Sequence, residues 1–297
     1  MMRSESRHYE RAELWDRERT ERSESARLAE MTDHVPPETT SVLDAGGGNG
    51  LFLEELRRVR PDLKSTVCLD RSLSALAVAA GSRARGELDK PPFRDGAFDC
   101  VTCLEVLEHL PVDAYAGALR EIARVARQSI VIAVPFEQDL EGMLVTCVVC
   151  RARFNPYFHL RSFSEQALRR LLGHEGWSCV ELAEQGVHRE PLGATWLASY
   201  FARKPWSVSP FDWSIECPIC GASMPPLARS GAAVRASGSR RTLRSRVRRI
   251  WPTVRKAARV VAIYRRVRVP GEQADTTMVR ESSWDRTCRE ERREGRG

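Results

Sequence analysis

The stretch Val42-Leu43-Asp44-Ala45-Gly46-Gly47-Gly48-Asn49-Gly50 decides the fold of this 297-residue chain. An apolar run leads into an acidic residue and four glycines, and residues 51–56 then have the apolar spacing of a helix. Glycine permits positive φ and lets a ligand approach the backbone. The pattern predicts a strand-to-helix turn that presents amides to a nucleotide-like cofactor, although dinucleotide enzymes and ordinary tight turns also use glycine-rich loops.

A second buried strand is predicted at residues 65–70, and it ends in Asp70. An acidic residue at this point of a Rossmann-like unit accepts hydrogen bonds from the hydroxyls of a ribose. Asp70 is therefore the candidate ribose ligand.

Two later segments complete an ordered set of four motifs. Residues 86–93 read Gly-Glu-Leu-Asp-Lys-Pro-Pro-Phe, and residues 98–110 read Phe-Asp-Cys-Val-Thr-Cys-Leu-Glu-Val-Leu-Glu-His-Leu. Together with the glycine loop and Asp70, they resemble the class I S-adenosylmethionine-dependent methyltransferases over residues 5–204. That family has Gly-Asp before Pro-Phe, then Phe-Asp-x-Val and Glu-x-Leu-x-His-Leu. Here Glu87 replaces the usual Asp.

The resemblance implies a Rossmann-like three-layer sandwich, in which a mostly parallel seven-stranded sheet has an antiparallel edge strand. It also implies methyl transfer from S-adenosylmethionine. The loop residues would contact the methionyl end of the cofactor, Asp70 the ribose, and Glu87 with the next amide the adenine. The predicted cofactor-binding residues are Asp44, Gly46, Gly48, Gly50, Asp70, Glu87, Leu88 and Glu105.

Composition and charge indicate how the rest of the chain is organised. No apolar run is long enough to span a bilayer, the N-terminus is too charged for a secretory signal, and nine cysteines without such a signal favour reduced thiols in the cytoplasm. Residues 229–270 hold 14 Arg or Lys and no acidic residue. The predicted regions are a helical cap at 1–40, the methyltransferase domain at 41–204 with an insertion at 137–162, a zinc-knuckle-like segment at 205–228, a basic helical tail at 229–270 and a disordered end at 271–297.

The domain is expected to close with an antiparallel pair of strands. The pair would be residues 177–185 and 194–203, because the link between them is too short for a crossover helix. The cap would consist of one or two amphipathic helices within residues 8–32, and helices at this position of the family often close over the bound cofactor.

Two cysteine pairs have the spacing of a structural zinc site. Cys147 and Cys150 lie in the insertion, and Cys217 and Cys220 form a Cys-Pro-x-Cys-Gly knuckle. One tetrahedral site made from all four is predicted, with segment 205–216 crossing back over the sheet. In the alternative, the first pair are buried apolar thiols.

Several side chains are candidates for catalysis. His109 follows the fourth predicted strand and would serve as a general base for a hydroxyl acceptor, or only pack or cap a helix. Glu105, at the carboxyl edge of the sheet, would orient an acceptor or bind the cofactor. Tyr157, His159 and Arg161 would bind an anionic acceptor or stabilise their long loop.

The basic tail suggests where the enzyme works. From Leu243 onward, apolar residues that include Val254, Val261, Tyr264 and Val267 recur every three or four positions among arginines. This predicts an amphipathic helix over about 240–268 that lies on an anionic membrane, with nucleic-acid binding or docking on the enzyme as alternatives.

We therefore predict a cytoplasmic methyltransferase, peripheral to the inner face of the membrane, that modifies a small-molecule, glycan or lipid-linked acceptor. An RNA-associated methyltransferase or a non-catalytic binding module that uses the tail is the alternative. Direct nucleobase methylation loses support, because the fourth strand is not followed by Asn-Pro-Pro-Tyr or Asp-Pro-Pro-Tyr.

Overall fold

The computed structural model describes residues 8–141, 143–191, 214–224 and 253–267. Its strands are β1 (Ser41–Ala45), β2 (Ser65–Asp70), β3 (Ser82–Arg85), β4 (Phe98–Leu104), β5 (Ala126–Pro135), β6 (Val145–Thr146), β7 (Arg153–Phe154), β8 (Trp177–Gln185), β9 (His188–Pro191), β10 (Ile215–Glu216), β11 (Ser223–Met224), β12 (Thr253–Lys256) and β13 (Arg259–Arg266). Its α-helices are α1 (Arg17–Thr32), α2 (Leu51–Val59), α3 (Leu73–Val78), α4 (Val112–Val125) and α5 (Glu165–Arg170), and short 3-10 helices span Ala12–Trp15, Leu107–His109 and Gly173–Glu175.

Seven strands form one sheet in the order β3-β2-β1-β4-β5-β13-β8. The first five are parallel to one another, whereas β13 is antiparallel to both β5 and β8. The strand order reverses between β1 and β4, which is where open α/β sheets bind ligands at their carboxyl edge. The predicted Rossmann-like sheet with an antiparallel pair near one edge is confirmed.

Helices cover both faces of the sheet. Helix α2 buries Leu51, Phe52, Leu53 and Leu56, residues whose helical spacing follows directly from the sequence. They pack with side chains of α1 in one core cluster, and α4 contributes to a second cluster that includes Trp177. Each fully buried large apolar side chain stabilises the fold by about 1.5–3 kcal/mol, so these two clusters hold the strand ends in place.

The predicted basic helix is wrong where the structure describes that segment. Residues 253–256 and 259–266 are strands, and β13 completes the central sheet. Its run from Val260 to Tyr264 is buried, and the Tyr264 hydroxyl donates a hydrogen bond to the Leu168 carbonyl at 2.7 Å. An interior strand buries both faces and therefore reads as a continuous apolar run. The rest of the predicted tail, at 229–252 and 268–270, lies outside the described residues.

The predicted strand at 194–203 also lies outside the described residues. Its expected place beside β8 is taken by β13, so the sheet includes residues beyond the predicted domain boundary at 204. In the N-terminal segment, the 3-10 turn is followed by α1. Among the described residues, none of the helices has the length and apolar character needed to cross a membrane.

Candidate functional site

The glycine loop joins β1 to α2 in a conformation that other residues would strain. Gly46 and Gly48 have φ of 82° and 55°. A Cβ added at Gly46 would lie 2.6 Å from the Val106 side chain, and one added at Gly48 would lie 2.7 Å from the Trp15 ring. The Gly46 amide donates to the Leu69 carbonyl at 2.8 Å, which ties the loop to β2. The loop therefore needs glycine for its shape and for the close approach of neighbouring groups.

Asp70 lies at the end of β2 and faces this loop. Its Oδ2 accepts a hydrogen bond from the Gly48 amide at 2.9 Å, and its Oδ1 accepts one from the Ser72 amide at 2.8 Å. Burial raises the pKa of this carboxyl group. Each oxygen keeps a further lone pair, so the carboxylate can still accept from a vicinal diol.

Asp44 is held at the other end of the loop. Its side chain is buried, and its Oδ1 accepts a hydrogen bond from the Thr102 hydroxyl of β4 at 2.7 Å. Burial raises the pKa of Asp44 to about 7. A carboxyl group that titrates near neutrality is suited to bind a cationic ligand group, because the cation favours its charged form.

Two cavities of about 440 and 220 Å³ adjoin this loop and share Trp15, Gly46 and Glu105 in their walls. The predicted residues at the larger cavity are Gly46, Asp70, Glu87, Leu88, Glu105 and His109, and those at the smaller one are Asp44, Gly46, Gly48 and Glu105. Gly50 is not part of either wall. It precedes α2, and its amide donates to the Gly47 carbonyl at 3.0 Å, which is a structural contact.

The N-terminal segment forms part of the same walls. Tyr9 and Trp15 line the larger cavity, and the Trp15 indole donates to the Tyr9 carbonyl at 2.7 Å. The Ser72 hydroxyl also donates to that carbonyl, at 2.8 Å, which anchors the segment beside Asp70. This position agrees with the cap predicted from the sequence, whose role toward a bound cofactor remains a prediction.

Glu105 follows β4 with a positive φ of 58°. Its Oε2 lies 3.2 Å from Nε of Arg259, the first residue of β13. Arg259 is a site residue that the sequence did not reveal, because the pairing of β13 with β5 brings it there from 154 positions away.

His109 stands at the end of a 3-10 turn and meets the N-terminal segment. Its Nδ1 is 2.9 Å from the Tyr9 hydroxyl oxygen. Burial lowers the pKa of His109 to about 3, and the nearby His159 contributes a smaller part of this shift. The imidazole is therefore neutral near pH 7, and a group with so low a pKa is a weak general base.

The neighbours of His109 are equally enclosed. His159 Nδ1 lies 2.6 Å from Gln138 Oε1, and burial lowers the pKa of His159 to about 4. The Arg161 guanidinium donates to the Leu107 carbonyl and lies 4.0 Å over the Tyr115 ring, both of which fix the loop. Glu108, which the sequence analysis did not select, is completely buried here.

The four predicted zinc ligands lie together. The hairpin β6–β7 carries Cys147 and Cys150, and β10–β11 carries Cys217 and Cys220. Each Sγ of one pair lies 3.6 Å from an Sγ of the other, and all four sulfurs lie within 4.8 Å of one another.

The two hairpins have matching backbone turns. The amide of Cys147 donates to the carbonyl five residues later at 2.9 Å, and so does that of Cys217. A small core of their own encloses the cluster, formed by Val145, Phe154, Ile215 and Met224 with two of the cysteines.

Residues 8–182, more than half of the chain, match a family model described as "Methyltransferase domain". The chain belongs to this methyltransferase family. It is an S-adenosylmethionine-dependent methyltransferase. No curated protein matches its sequence.

Solved structures similar to this methyltransferase are distant in sequence. An S-adenosylmethionine-dependent methyltransferase from Archaeoglobus fulgidus is 14% identical, with 82% of this chain and 94% of that chain covered and a TM-score of 0.46. The YcgJ protein of Bacillus subtilis is 14% identical, covering 82% and 99%, with a TM-score of 0.44. A methyltransferase from Thermotoga maritima is 16% identical, covering 84% and 93%, with a TM-score of 0.44. Because these likenesses are remote, the family assignment depends on the sequence match.

Proposed function

We propose that this methyltransferase binds S-adenosylmethionine across the two adjacent cavities and methylates a small-molecule, glycan or lipid-linked acceptor. The position of Asp70 is the main support for this proposal. The Gly48 and Ser72 amides hold its carboxylate, and the residue lines the larger cavity. A fixed acidic acceptor at the end of β2 is suited to a ribose diol.

The other predicted residues take positions that fit the same cofactor. Asp44 and Gly46 border the smaller cavity, where Asp44 would accept hydrogen bonds from the methionyl ammonium group. Glu87 and Leu88 border the larger cavity, beyond Asp70, where they would contact the adenine. Trp15 stands between the two cavities and would exclude water from the bound cofactor.

The acceptor would enter on the side of Glu105 and His109. Bound S-adenosylmethionine supplies an electrophilic methyl group, so the protein needs chiefly to place the acceptor in line with it. Glu105, fixed by Arg259, would orient the acceptor. The neutral imidazole of His109 would position it rather than remove its proton, since a pKa of about 3 disfavours proton uptake at neutral pH.

Calorimetric titration with S-adenosylhomocysteine tests this cofactor site. The wild type should bind at micromolar concentration, and Asp70→Ala should lose most of that affinity. Asp62→Ala is the matched control, because Asp62 is largely exposed and pairs with Arg60 in a loop. Absence of binding to the wild type, or equal binding to Asp70→Ala, would refute the proposed site.

We also propose that the four cysteines hold one structural zinc ion. Two like hairpins that present four sulfurs toward a common centre have the ligand number and type that Zn²⁺ prefers. The Cys150 and Val149 amides donate hydrogen bonds to Cys147, and such bonds favour the thiolate, which is the form that binds metal. The ion would join the insertion to segment 214–224.

Metal analysis tests the zinc proposal. The purified chain should contain one zinc ion, which the double variant Cys217→Ser/Cys220→Ser should lose. Cys179→Ser is the control, because this partly exposed thiol lies in β8 outside the cluster. A zinc content unchanged by the double substitution would overturn the assignment.

Contact with an anionic membrane, or with nucleic acid, would depend on the basic residues at 229–252, which lie outside the described residues. This segment holds eight arginines and no acidic residue. Binding to anionic vesicles should fall as salt rises and should exceed retention on RNA if the acceptor is lipid-linked. Stronger retention on RNA would instead favour the RNA-associated function.

A further inference from the structure

A second group of metal-ligating side chains lies beside the proposed cofactor cavity. Glu108, His109 and His159 each place one ligand atom within 4.8 Å of the other two. His109 Nε2 and Glu108 Oε1 are 4.0 Å apart. Two imidazoles and a carboxylate form a common ligand set for divalent transition metals, with coordination positions left open.

Both histidines are held through Nδ1. The Nδ1 of His109 meets the Tyr9 hydroxyl, and the Nδ1 of His159 meets the Gln138 amide oxygen. Since an amide oxygen only accepts, His159 Nδ1 carries the proton and its Nε2 has a free lone pair. Partners of this kind fix the orientation of metal-binding histidines.

Glu108 supplies an independent observation. Its side chain is completely buried, yet neither carboxylate oxygen has a hydrogen-bond partner among the described residues. An unpartnered buried carboxylate is costly, and a group that bonds to it would offset this cost. The carboxylate is close enough to both histidines to share an ion with them.

Charged groups surround Glu108. Burial, and after it the nearby Glu105, raises the pKa of the Glu108 carboxyl group, whereas Arg259 and Arg161 act in the opposite direction. The Arg161 and Arg259 guanidinium groups also contact the Leu107 carbonyl and Glu105, respectively. A divalent ion beside Glu108 would favour the ionised form of this carboxyl group, because a nearby cation stabilises a carboxylate.

We infer that Glu108, His109 and His159 bind a divalent first-row transition metal ion that holds the oxygen of a hydroxyl acceptor. His109 also lines the larger cavity. An open coordination position on the ion can therefore face an acceptor bound there. Around a tetrahedral ion with bonds of about 2.0 Å, ligand atoms lie about 3.3 Å apart. The three side chains would thus close by about 1 Å on binding.

The ion would activate the acceptor by polarising its hydroxyl group. The acceptor O–H bond breaks, its electron pair stays on the oxygen bound to the ion, and the proton leaves to solvent. A bound metal lowers the pKa of an oxygen ligand by several units, so that the acceptor hydroxyl can lose its proton without a separate general base. This role depends on the proposed methyl transfer, whereas metal binding itself does not.

Titration with Mn²⁺, followed by the electron paramagnetic resonance signal of the free ion, tests the inference. Mn²⁺ prefers carboxylate and imidazole to thiolate, so the cysteine cluster competes little. The full chain should bind one Mn²⁺. If the site is already occupied in the purified protein, the chain should instead contain one first-row metal ion in addition to the zinc of the cysteine cluster. Glu108→Gln and His159→Ala should each weaken Mn²⁺ binding by at least about 100-fold, and Gln138→Ala by about tenfold.

His174→Ala serves as the matched control, because this exposed histidine is not part of the cluster and should not affect the metal. S-adenosylhomocysteine binding, measured on the same samples, should persist in Glu108→Gln and so shows that the variant is folded. A wild type that binds S-adenosylhomocysteine without any such ion, or Mn²⁺ binding unchanged in both variants, overturns the metal site alone. A wild type that binds Mn²⁺ without binding S-adenosylhomocysteine overturns the proposed cofactor site alone.

Discussion

Residues 41–105, which contain the glycine loop, and the C-terminal elements β13 and β10–β11 differ in how their structure is determined. In residues 41–105, each strand, turn and helix is encoded by neighbouring residues, and parallel strands bring successive turns to one edge. In contrast, β13 and the hairpin β10–β11 have positions that depend on partners more than 60 residues earlier in the chain. Local patterns therefore predict the first region well and the second poorly.

Substitutions in β13 provide the most severe test of this contrast. The apolar stripe of the predicted helix includes both Val261 and Val267, whereas the structure buries Val261 completely and leaves Val267 52% exposed. Val261→Asp should lower the free energy of unfolding by at least about 4 kcal/mol, because it buries an unpaired carboxylate in the sheet. Val267→Asp should change it by less than about 0.5 kcal/mol. Denaturant unfolding that finds equal effects for the two would contradict the position of β13.

The failure of the helix prediction has a physical cause. Apolar residues at intervals of three or four, with arginines between them, give 243–267 the appearance of an amphipathic helix, although Val260 to Tyr264 is an unbroken apolar run. Such a run, rich in β-branched residues, is typical of a strand buried on both faces. The sequence shows this signal for a buried strand. It does not show that the strand lies between β5 and β8.

The candidate site divides in the same way. The sequence predicted Asp44, Asp70, Gly46 and Gly48, because each lies within a contiguous motif. It also predicted the four cysteines, since their paired spacing is itself a signal. Glu108 and His159 are 51 positions apart, and only the folded loop brings them together. No local pattern could have paired them.

Asp99, in the Phe-Asp-x-Val motif, tests whether that motif serves the fold or the cofactor. Its carboxylate accepts hydrogen bonds from the Thr40 amide and hydroxyl at 3.0 and 2.8 Å, from the Ser41 amide at 3.1 Å and from Arg127 Nε at 2.9 Å. Asp99→Asn should therefore destabilise the protein by about 3 kcal/mol without a direct effect on cofactor binding.

Asp95→Asn is the matched control for Asp99→Asn. Asp95 forms a single ion pair with Arg124 at 2.7 Å, and its side chain is 83% exposed. Exposed pairs contribute little, so the loss should stay below about 0.5 kcal/mol. Thermal unfolding would measure both variants. Similar melting temperatures would show that Asp99 does not tie β1 to β4 and β5.

Gly48 tests the glycine loop itself. A methyl group there would meet the Trp15 ring and would also strain a backbone with φ of 55°. Gly48→Ala should weaken S-adenosylhomocysteine binding by about 30-fold, which is about 2 kcal/mol. Gly173→Ala is the control, since a Cβ at that position meets nothing within 4 Å. Unchanged affinity in Gly48→Ala would mean that the loop can shift away from Trp15 at little cost.

The smallest effect expected is the pH dependence that Asp44 gives to cofactor binding. With a pKa near 7, this carboxyl group is mostly protonated at pH 6 and mostly ionised at pH 8. The ionised form accepts hydrogen bonds from an ammonium group, and a bound cation lowers the pKa further. The affinity for S-adenosylhomocysteine should therefore rise with pH by about tenfold over that interval, or about 1.4 kcal/mol. Asp44→Asn keeps the shape but cannot ionise, so its affinity should be lower and nearly independent of pH. A slope that persists in Asp44→Asn would assign the titration to another group and place the methionyl end away from Asp44.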